Sequence, residues 1–176
     1  GGGGLKVDIA AKPLEGHTIV AKGEANGLSA IAVTEDGGFL NTPDIYMDKI
    51  AVGPAFPNDL VDLDETPAKN LKALAKAKKA AVSDLVVCVL DRPRHRELVA
   101  NIRDAGARIM LITDGDISGV IATTQKRTGV DIYMGIGGAP HGVLSAAALS
   151  CVGAQMQGRL VFRDNEERAK AQSMGI

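Results

Sequence analysis

The run 8-DIAAKPLEGHT-18 packs a carboxylate, a glycine and a proline into one turn, with Lys12 and His17 on either side of Glu15. Such a turn suits a hard cation through its oxygen donors, a phosphate through its cationic neighbours, or nothing beyond a change of chain direction. Three further runs carry side chains able to do chemistry. In 91-DRPRH-95, Arg92 and Arg94 flank Pro93, and two guanidinium forks on a stiffened loop suit a phosphate; the alternative is two surface arginines paired with acids. In 112-ITDGD-116, Asp114 and Asp116 about Gly115 can hold a metal, accept from sugar hydroxyls or cap the next helix. In 135-GIGGAPHG-142 the glycines let backbone approach a ligand closely. That run misses the G-x-G-x-x-G offsets and follows the third strand of its series rather than the first, so a phosphate or sugar loop is preferred to a dinucleotide site. His17, His95 and His141 are each open to a role as ligand, base or plain loop residue, and Tyr46 is by default core or strand surface.

The elements that must position these runs follow from apolar periodicity. Val7 to Ala10, 27-GLSAIAVTE-35 and 45-IYMDKIAV-52 read as strands, with Asp36-Gly37-Gly38 as a hairpin-type turn into Phe39 and 53-GPAFPND-59 as a break. Thr66-Pro67 marks a helix start, and 67–80 is rich in Ala, Leu and Lys. From residue 84 one unit repeats three times. The strands 85-LVVCVL-90, 108-RIMLIT-113 and 130-VDIYMGI-136 are followed by helices through about Ala105, through about Thr124 and over 143–152. A charged helix over 164–172 closes the chain. Continuous apolar strands alternating with helices predict a parallel sheet covered on both faces. Ligands gather at the carboxyl ends of such strands, where helix N-termini also favour anions.

The chain has 176 residues, enough for one domain or two small ones, with 45% apolar and 3% aromatic residues and no Trp. The core is therefore aliphatic, and base-stacking nucleic-acid modules are disfavoured. A net charge of −1 gives no general attraction to nucleic acid or to an anionic membrane. Cys88 and Cys151 read as small buried hydrophobes with no C-x-x-C, which fits a reducing compartment. No apolar run is long enough to span a membrane, and no signal peptide is visible. The chain opens on Gly1 to Gly4 without Met and reads as part of a longer protein, the glycines a linker or loop remnant.

Six stretches together, 13-PLEG-16, 23-GEAN-26, 43-PDIYMDKIAVGP-54, 91-DRPRH-95, 112-ITDGD-116 and 135-GIGGAP-140, carry a resemblance over nearly the whole chain. The sequence resembles class II fructose-1,6-bisphosphatase, the bacterial fructose-1,6-/sedoheptulose-1,7-bisphosphatase family. The resemblance implies an α/β fold layered α/β/α/β, like lithium-sensitive sugar phosphatases. Residues 1–64 would be the C-terminal part of a metal- and phosphate-binding α+β domain, and 65–176 an α/β sugar-phosphate-binding domain with three βα units. It implies Mg²⁺ or Mn²⁺ activating a water that hydrolyses the 1-phosphate of fructose 1,6-bisphosphate, in gluconeogenesis and glycerol metabolism, in the cytoplasm, in a protein that could be a homo-oligomer. Glu15 matches a catalytic metal ligand. Glu15, Gly16, His17, Tyr46, Arg92, Pro93, Arg94, Asp114, Gly115, Asp116 and Gly138 match positions that meet the sugar bisphosphate.

The match departs from the family at the metal. The family's turn reads Asp-Pro-x-Glu-Gly-Thr, whereas Lys12 stands for the Asp and His17 for the Thr; His141 stands where the Gly-rich loop has a glutamate ligand. The family's earlier acidic ligands have no counterpart in this sequence. An ammonium within ~4 Å of a divalent ion would repel it by roughly a few kcal/mol or more. Three outcomes follow: a phosphatase with an altered metal site, a sugar-phosphate-binding pseudoenzyme in which Lys12 replaces the metal, or a preference retuned by His17 and His141 toward Mn²⁺ or Zn²⁺. A nicotinamide-cofactor oxidoreductase rests only on the strand–glycine–helix pattern, and its glycine spacing is wrong. The reading expects Glu15, Tyr46, Arg94 and Asp116 to share one pocket.

Overall fold

The structure, a computed structural model, describes residues 3–176; Gly1 and Gly2 of the opening glycine run lie outside the described residues. Its strands are β1 (Val7–Glu15), β2 (Leu28–Glu35), β3 (Tyr46–Val52), β4 (Val86–Leu90), β5 (Arg108–Ile112), β6 (Ile132–Gly138) and β7 (Gln155–Val161). Its helices are α1 (His17–Ala21), α2 (Pro67–Lys78), α3 (Arg96–Asp104), α4 (Asp116–Ala122), α5 (Ala139–Ser150) and α6 (Asn165–Ser173).

Five strands form one sheet in the order β5-β4-β6-β3-β7. β4 runs parallel to β5 and β6, and β3 lies antiparallel to both β6 and β7. The three βα units supply the expected parallel strands, β5-β4-β6, and β3 and β7 extend them into a mixed sheet in which β3 alone is reversed. β3 precedes the βα crossovers in the chain and inserts between β6 and the strand that α5 leads to. The expected division after residue 64 therefore crosses a sheet: β3 stands before it and pairs with strands beyond it.

Each strand residue's side follows the period of two. Ile50 and Val52 of β3, Val87 and Val89 of β4, and Ile132 and Met134 of β6 pack with Leu71 and Leu74 of α2 and Ile102 of α3. The alternate residues Ala51, Cys88 and Tyr133 pack with Val120 of α4 and Leu149 of α5. Beyond α5 lies the antiparallel pair β1–β2, which contacts that helix. The order helices, sheet, helices, sheet is the α/β/α/β layering expected.

Local details differ from the sequence reading for identifiable reasons. The turn at Asp36 ends β2 and is tied to β1 by Gly37 N donating to Asp8 Oδ2 (2.8 Å), so the hairpin partner lies upstream rather than at Phe39. β1 runs on past Pro13 to Glu15, with a register shift between Lys12 and Glu15 where proline cannot join the ladder. α5 starts at Ala139 rather than 143, because Pro140 falls in the first turn, where no N–H is needed. Cys88 is buried but Cys151 is exposed, just past α5.

Candidate functional site

The site is built on two acid–glycine–helix turns. Glu15-Gly16 opens α1 and Asp114-Gly115 opens α4. Both glycines are left-handed, Gly16 at φ 85 ψ 40 and Gly115 at φ 84 ψ 57, and neither helix has a side-chain cap of its own. Each acid caps the other helix instead. Glu15 Oε1 accepts from Ile117 N (2.6 Å) and Oε2 from Ser118 N (3.3 Å), while Asp114 Oδ2 accepts from Thr18 N (3.0 Å). This reciprocal capping locks the β1–β2 layer onto the edge of the five-stranded sheet. Capping is thus what Asp114 does, but for a helix nearly a hundred residues upstream rather than the next one.

Asp116 begins α4 and is buried. Its Oδ2 takes an ion pair from Lys49 Nζ, and its Oδ1 lies 2.9 Å from His141 Nδ1 in the first turn of α5. Lys49, in the middle of β3, is fully buried, and its Nζ also reaches Gly138 O (3.4 Å). Glu15, Asp116 and His141 bring potential ligand atoms within 4.8 Å of one another. Burial, reinforced by the Asp116 charge and opposed by the α4 N–H groups, pushes the Glu15 carboxyl up to about 7. Burial acts the same way on Asp116, but the His141 hydrogen bond and the Lys49 charge outweigh it and hold that carboxyl at about 2.

Lys49 is the member of this buried cluster that sequence reasoning missed. It sits on the same side of β3 as Met47 and Ala51, so the available signal was a lysine on an apolar stripe of a central strand. Lys12, expected beside the acid, is half-buried in the ladder opposite Ala30 and, among the described residues, makes no ion pair or hydrogen bond with Glu15, Asp116 or His141. His17 is exposed at the start of α1, outside the cluster.

The glycines of 135–142 make room mainly for side chains. A Cβ at Gly135 would stand 3.0 Å from His95 Nε2. At Gly137 it would run into Asp116 Oδ2 and stand 2.8 Å from Lys49 Nζ, and at Gly142 it would meet Met47 Sδ. His95 is a structural residue: Nδ1 donates to Leu90 O (2.7 Å), Nε2 accepts from Ile136 N (2.8 Å), and burial lowers its pKa.

Arg92 and Arg94 stand at strand ends around Pro93, as expected, yet both already hold backbone. Arg92 Nη1 donates to Asp91 O (2.9 Å) and Thr113 O (2.6 Å). Arg94 donates to Ile136 O from Nε (3.0 Å) and Nη2 (2.7 Å), with its guanidinium 4.8 Å from the Tyr46 ring centre. A guanidinium has five N–H donors, so each keeps some free. Tyr46 faces Gly138 across the β3–β6 ladder. The four residues expected to converge are therefore linked: Glu15 to α4, Asp116 to Lys49, Lys49 to Gly138, and Gly138 through Tyr46 to Arg94. Arg94 lines one groove with His95 and Met134, and Asp114 another with Thr113 and Ser118.

A sequence profile described as bacterial fructose-1,6-bisphosphatase, glpX-encoded, matches residues 1–176. The chain belongs to this family. It is 49% identical over 158 residues to a D-fructose 1,6-bisphosphatase class 2/sedoheptulose 1,7-bisphosphatase from Synechococcus sp. (strain JA-2-3B'a(2-13)), covering 90% of this chain and 45% of the relative. A protein of the same description from Crocosphaera subtropica is 45% identical over 158 residues, covering 90% of this chain and 46% of the relative. The chain thus spans under half the length of these relatives. In this glpX-type chain, the donor set of two buried carboxylates and an imidazole fits a divalent ion, as does a buried Glu15 whose ionisation lacks a cation of its own.

Proposed function

We propose that the protein carrying this chain hydrolyses the 1-phosphate of fructose 1,6-bisphosphate, and that of sedoheptulose 1,7-bisphosphate, as the names of its relatives suggest. The observation that carries the reading is the cluster Glu15–Asp116–His141 joined through Lys49 and Gly138 to the Tyr46–Arg94 pair. Residues 1–64 would contribute the metal end and 65–176 the sugar-phosphate end, with β3 belonging to the sheet of the second part.

In this reading the free N–H donors of Arg92 and Arg94 hold the phosphate remote from the chemistry. Pro93 keeps them apart, and Tyr46 braces Arg94. Glu15, at the end of β1 beside Gly16 and His17, sits at the reacting phosphate, where its carboxylate would hold the ion. Asp114, Gly115, Asp116 and Gly138 line the strand ends where sugar hydroxyls would lie. A bound divalent ion, Mg²⁺ or Mn²⁺ by resemblance, would neutralise phosphate charge and acidify water. The same proposal places the protein in carbohydrate metabolism, in the cytoplasm; no helix among the described residues is long and apolar enough to cross a membrane.

One observation favours a second reading, a sugar-phosphate-binding pseudoenzyme: a protein ammonium already stands at the carboxylates, supplied by Lys49 rather than Lys12. Phosphate release from either bisphosphate separates the two. Release by the intact protein that needs a divalent ion and disappears in Glu15→Ala supports the enzyme. Calorimetric binding of the sugar phosphate without metal, and no release with Mg²⁺, Mn²⁺ or Zn²⁺, supports the pseudoenzyme.

A further inference from the structure

We propose that Arg163, held by Glu167, is a further specificity-determining residue: together with Arg94 it holds the phosphate remote from the reacting one, beside the ring of Tyr46. This rests on the reading of the Tyr46–Arg94 pair as the sugar-phosphate end, and adds to it a residue from a strand the sequence did not reveal.

Sheet topology brings Arg163 there. β3 is antiparallel to both β6 and β7, so β7 runs parallel to β4, β5 and β6, and its carboxyl end opens on the same edge of the sheet. On that edge Arg92 and Arg94 follow β4, Asp114 follows β5 and Gly138 ends β6, and ligands of open α/β sheets gather at such an edge. Tyr46, the first residue of β3, faces Gly138 on one side and Val161, the last residue of β7, on the other. Arg163 follows Val161 closely, and its guanidinium lies 5.9 Å from the Tyr46 ring centre. The Arg94 guanidinium reaches the same ring from the β6 side.

The two arginines are held alike. Arg94 donates from Nε and Nη2 to one acceptor, Ile136 O. Arg163 donates from Nε to Glu167 Oε1 (2.6 Å), and its Nη2 pairs with the same oxygen. Glu167 is itself anchored: its side chain is only 11% exposed, its Oε2 accepts from Arg163 N (2.8 Å), and its own N–H donates to Asp164 Oδ1 (2.8 Å) at the start of α6. Each guanidinium is thus pinned along one edge, and among the described residues neither Nη1 has a hydrogen-bond partner. The Arg163 side chain is 65% exposed, so its ion pair adds little to stability. What the pair does is fix the rotamer, so that less freedom is lost when a ligand binds. Two preset guanidiniums beside one ring suit an anion with several acceptor oxygens, a phosphate ester rather than a sugar hydroxyl. The consequence is selection of sugar bisphosphates over sugar monophosphates that lack the remote phosphate.

The test compares the intact protein with Arg163→Ala and Arg163→Lys, with folding checked by melting. Phosphate release is measured from fructose 1,6-bisphosphate and from fructose 1-phosphate, which lacks the remote phosphate; calorimetry follows fructose 6-phosphate, which carries only that one. Arg163→Ala is expected to raise KM for the bisphosphate about 10-fold with kcat changed less than about 2-fold, and to leave fructose 1-phosphate kinetics unchanged. It should weaken fructose 6-phosphate binding by a similar factor, and Arg163→Lys should recover part of both losses. Equal losses on the two substrates, or an unchanged KM and an unchanged fructose 6-phosphate affinity, overturn the proposal and leave the phosphatase reading standing. If fructose 1-phosphate is not turned over, fructose 6-phosphate binding decides alone, and an intact protein that does not bind it also overturns the proposal. No release from any bisphosphate, with fructose 6-phosphate bound about 10-fold more weakly by Arg163→Ala, supports the proposal and defeats the phosphatase reading.

Discussion

Replacing Lys49 with methionine tests the electrostatic centre of the site. The side chain is fully buried, and its ammonium neutralises a carboxylate that is itself only 3% exposed. Methionine keeps most of the stem's volume, so the change removes a charge without opening a large cavity. What remains is a buried Asp116 carboxylate with one side-chain partner, His141 Nδ1. Breaking a buried pair from one side costs about 3–5 kcal/mol, and the surviving hydrogen bond places this case near the lower end. Urea unfolding at pH 7 measures the loss. The companion variant Lys49→Met/Asp116→Asn leaves no orphaned charge and is expected to recover at least half of it. The pair also sets an acid limit. The Asp116 pKa is depressed from 3.8 to about 2 on folding, so its contribution is present above about pH 4 and is lost as pH falls through 2. In Lys49→Met that loss moves to higher pH. A cost below about 1 kcal/mol, or a double variant no more stable than the single one, refutes the view that Lys49 is the counter-charge of Asp116.

Glu15 gives the opposite pH dependence. Its pKa rises from 4.5 to about 7 on folding, so its contribution to the stability of the metal-free protein is largest below about pH 4.5 and is lost as pH rises through 7. The loss between pH 5 and 8 should be roughly 3 kcal/mol and should vanish in Glu15→Gln; equal melting temperatures at the two pH values reject it. Gly137→Ala drives a methyl into the Lys49–Asp116 pair and should cost about 1–3 kcal/mol, whereas Gly138→Ala, whose methyl meets the His141 ring at 3.6 Å, should cost under about 1 kcal/mol in the same assay. Arg94→Met removes the guanidinium, with its free donors, its bonds to Ile136 O and its place over the Tyr46 ring, and should raise KM for the bisphosphate about 10-fold or more with a smaller change in kcat. An unchanged KM removes Arg94 from substrate binding.

The strands β4, β5 and β6 were legible because the runs 85-LVVCVL-90, 108-RIMLIT-113 and 130-VDIYMGI-136 are apolar over nearly their whole length, and β4 and β6 are buried on both faces. β7 escaped because Gln155, Gln157, Gly158 and Arg159 make an edge strand with no apolar period. The short words of the sequence also placed Glu15, Asp116 and His141 among the residues to watch, since carboxylates and imidazoles beside glycine turns have few other uses in such numbers. What they did with one another was decided by folding. Glu15 and the α4 backbone are 102 residues apart, Lys49 and Asp116 67 apart, and no local pattern encodes such a pairing. The clearest case is the pair of lysines. Lys12 stands near the acid in sequence yet makes no bond to it, while Lys49, three residues from Tyr46 on an otherwise apolar stripe with Met47 and Ala51, has no acid beside it on that stripe. Only the reversal of β3 between β6 and β7 turns Lys49 inward beneath the start of α4, because a strand's neighbours are set by sheet order and not by the chain on either side of it.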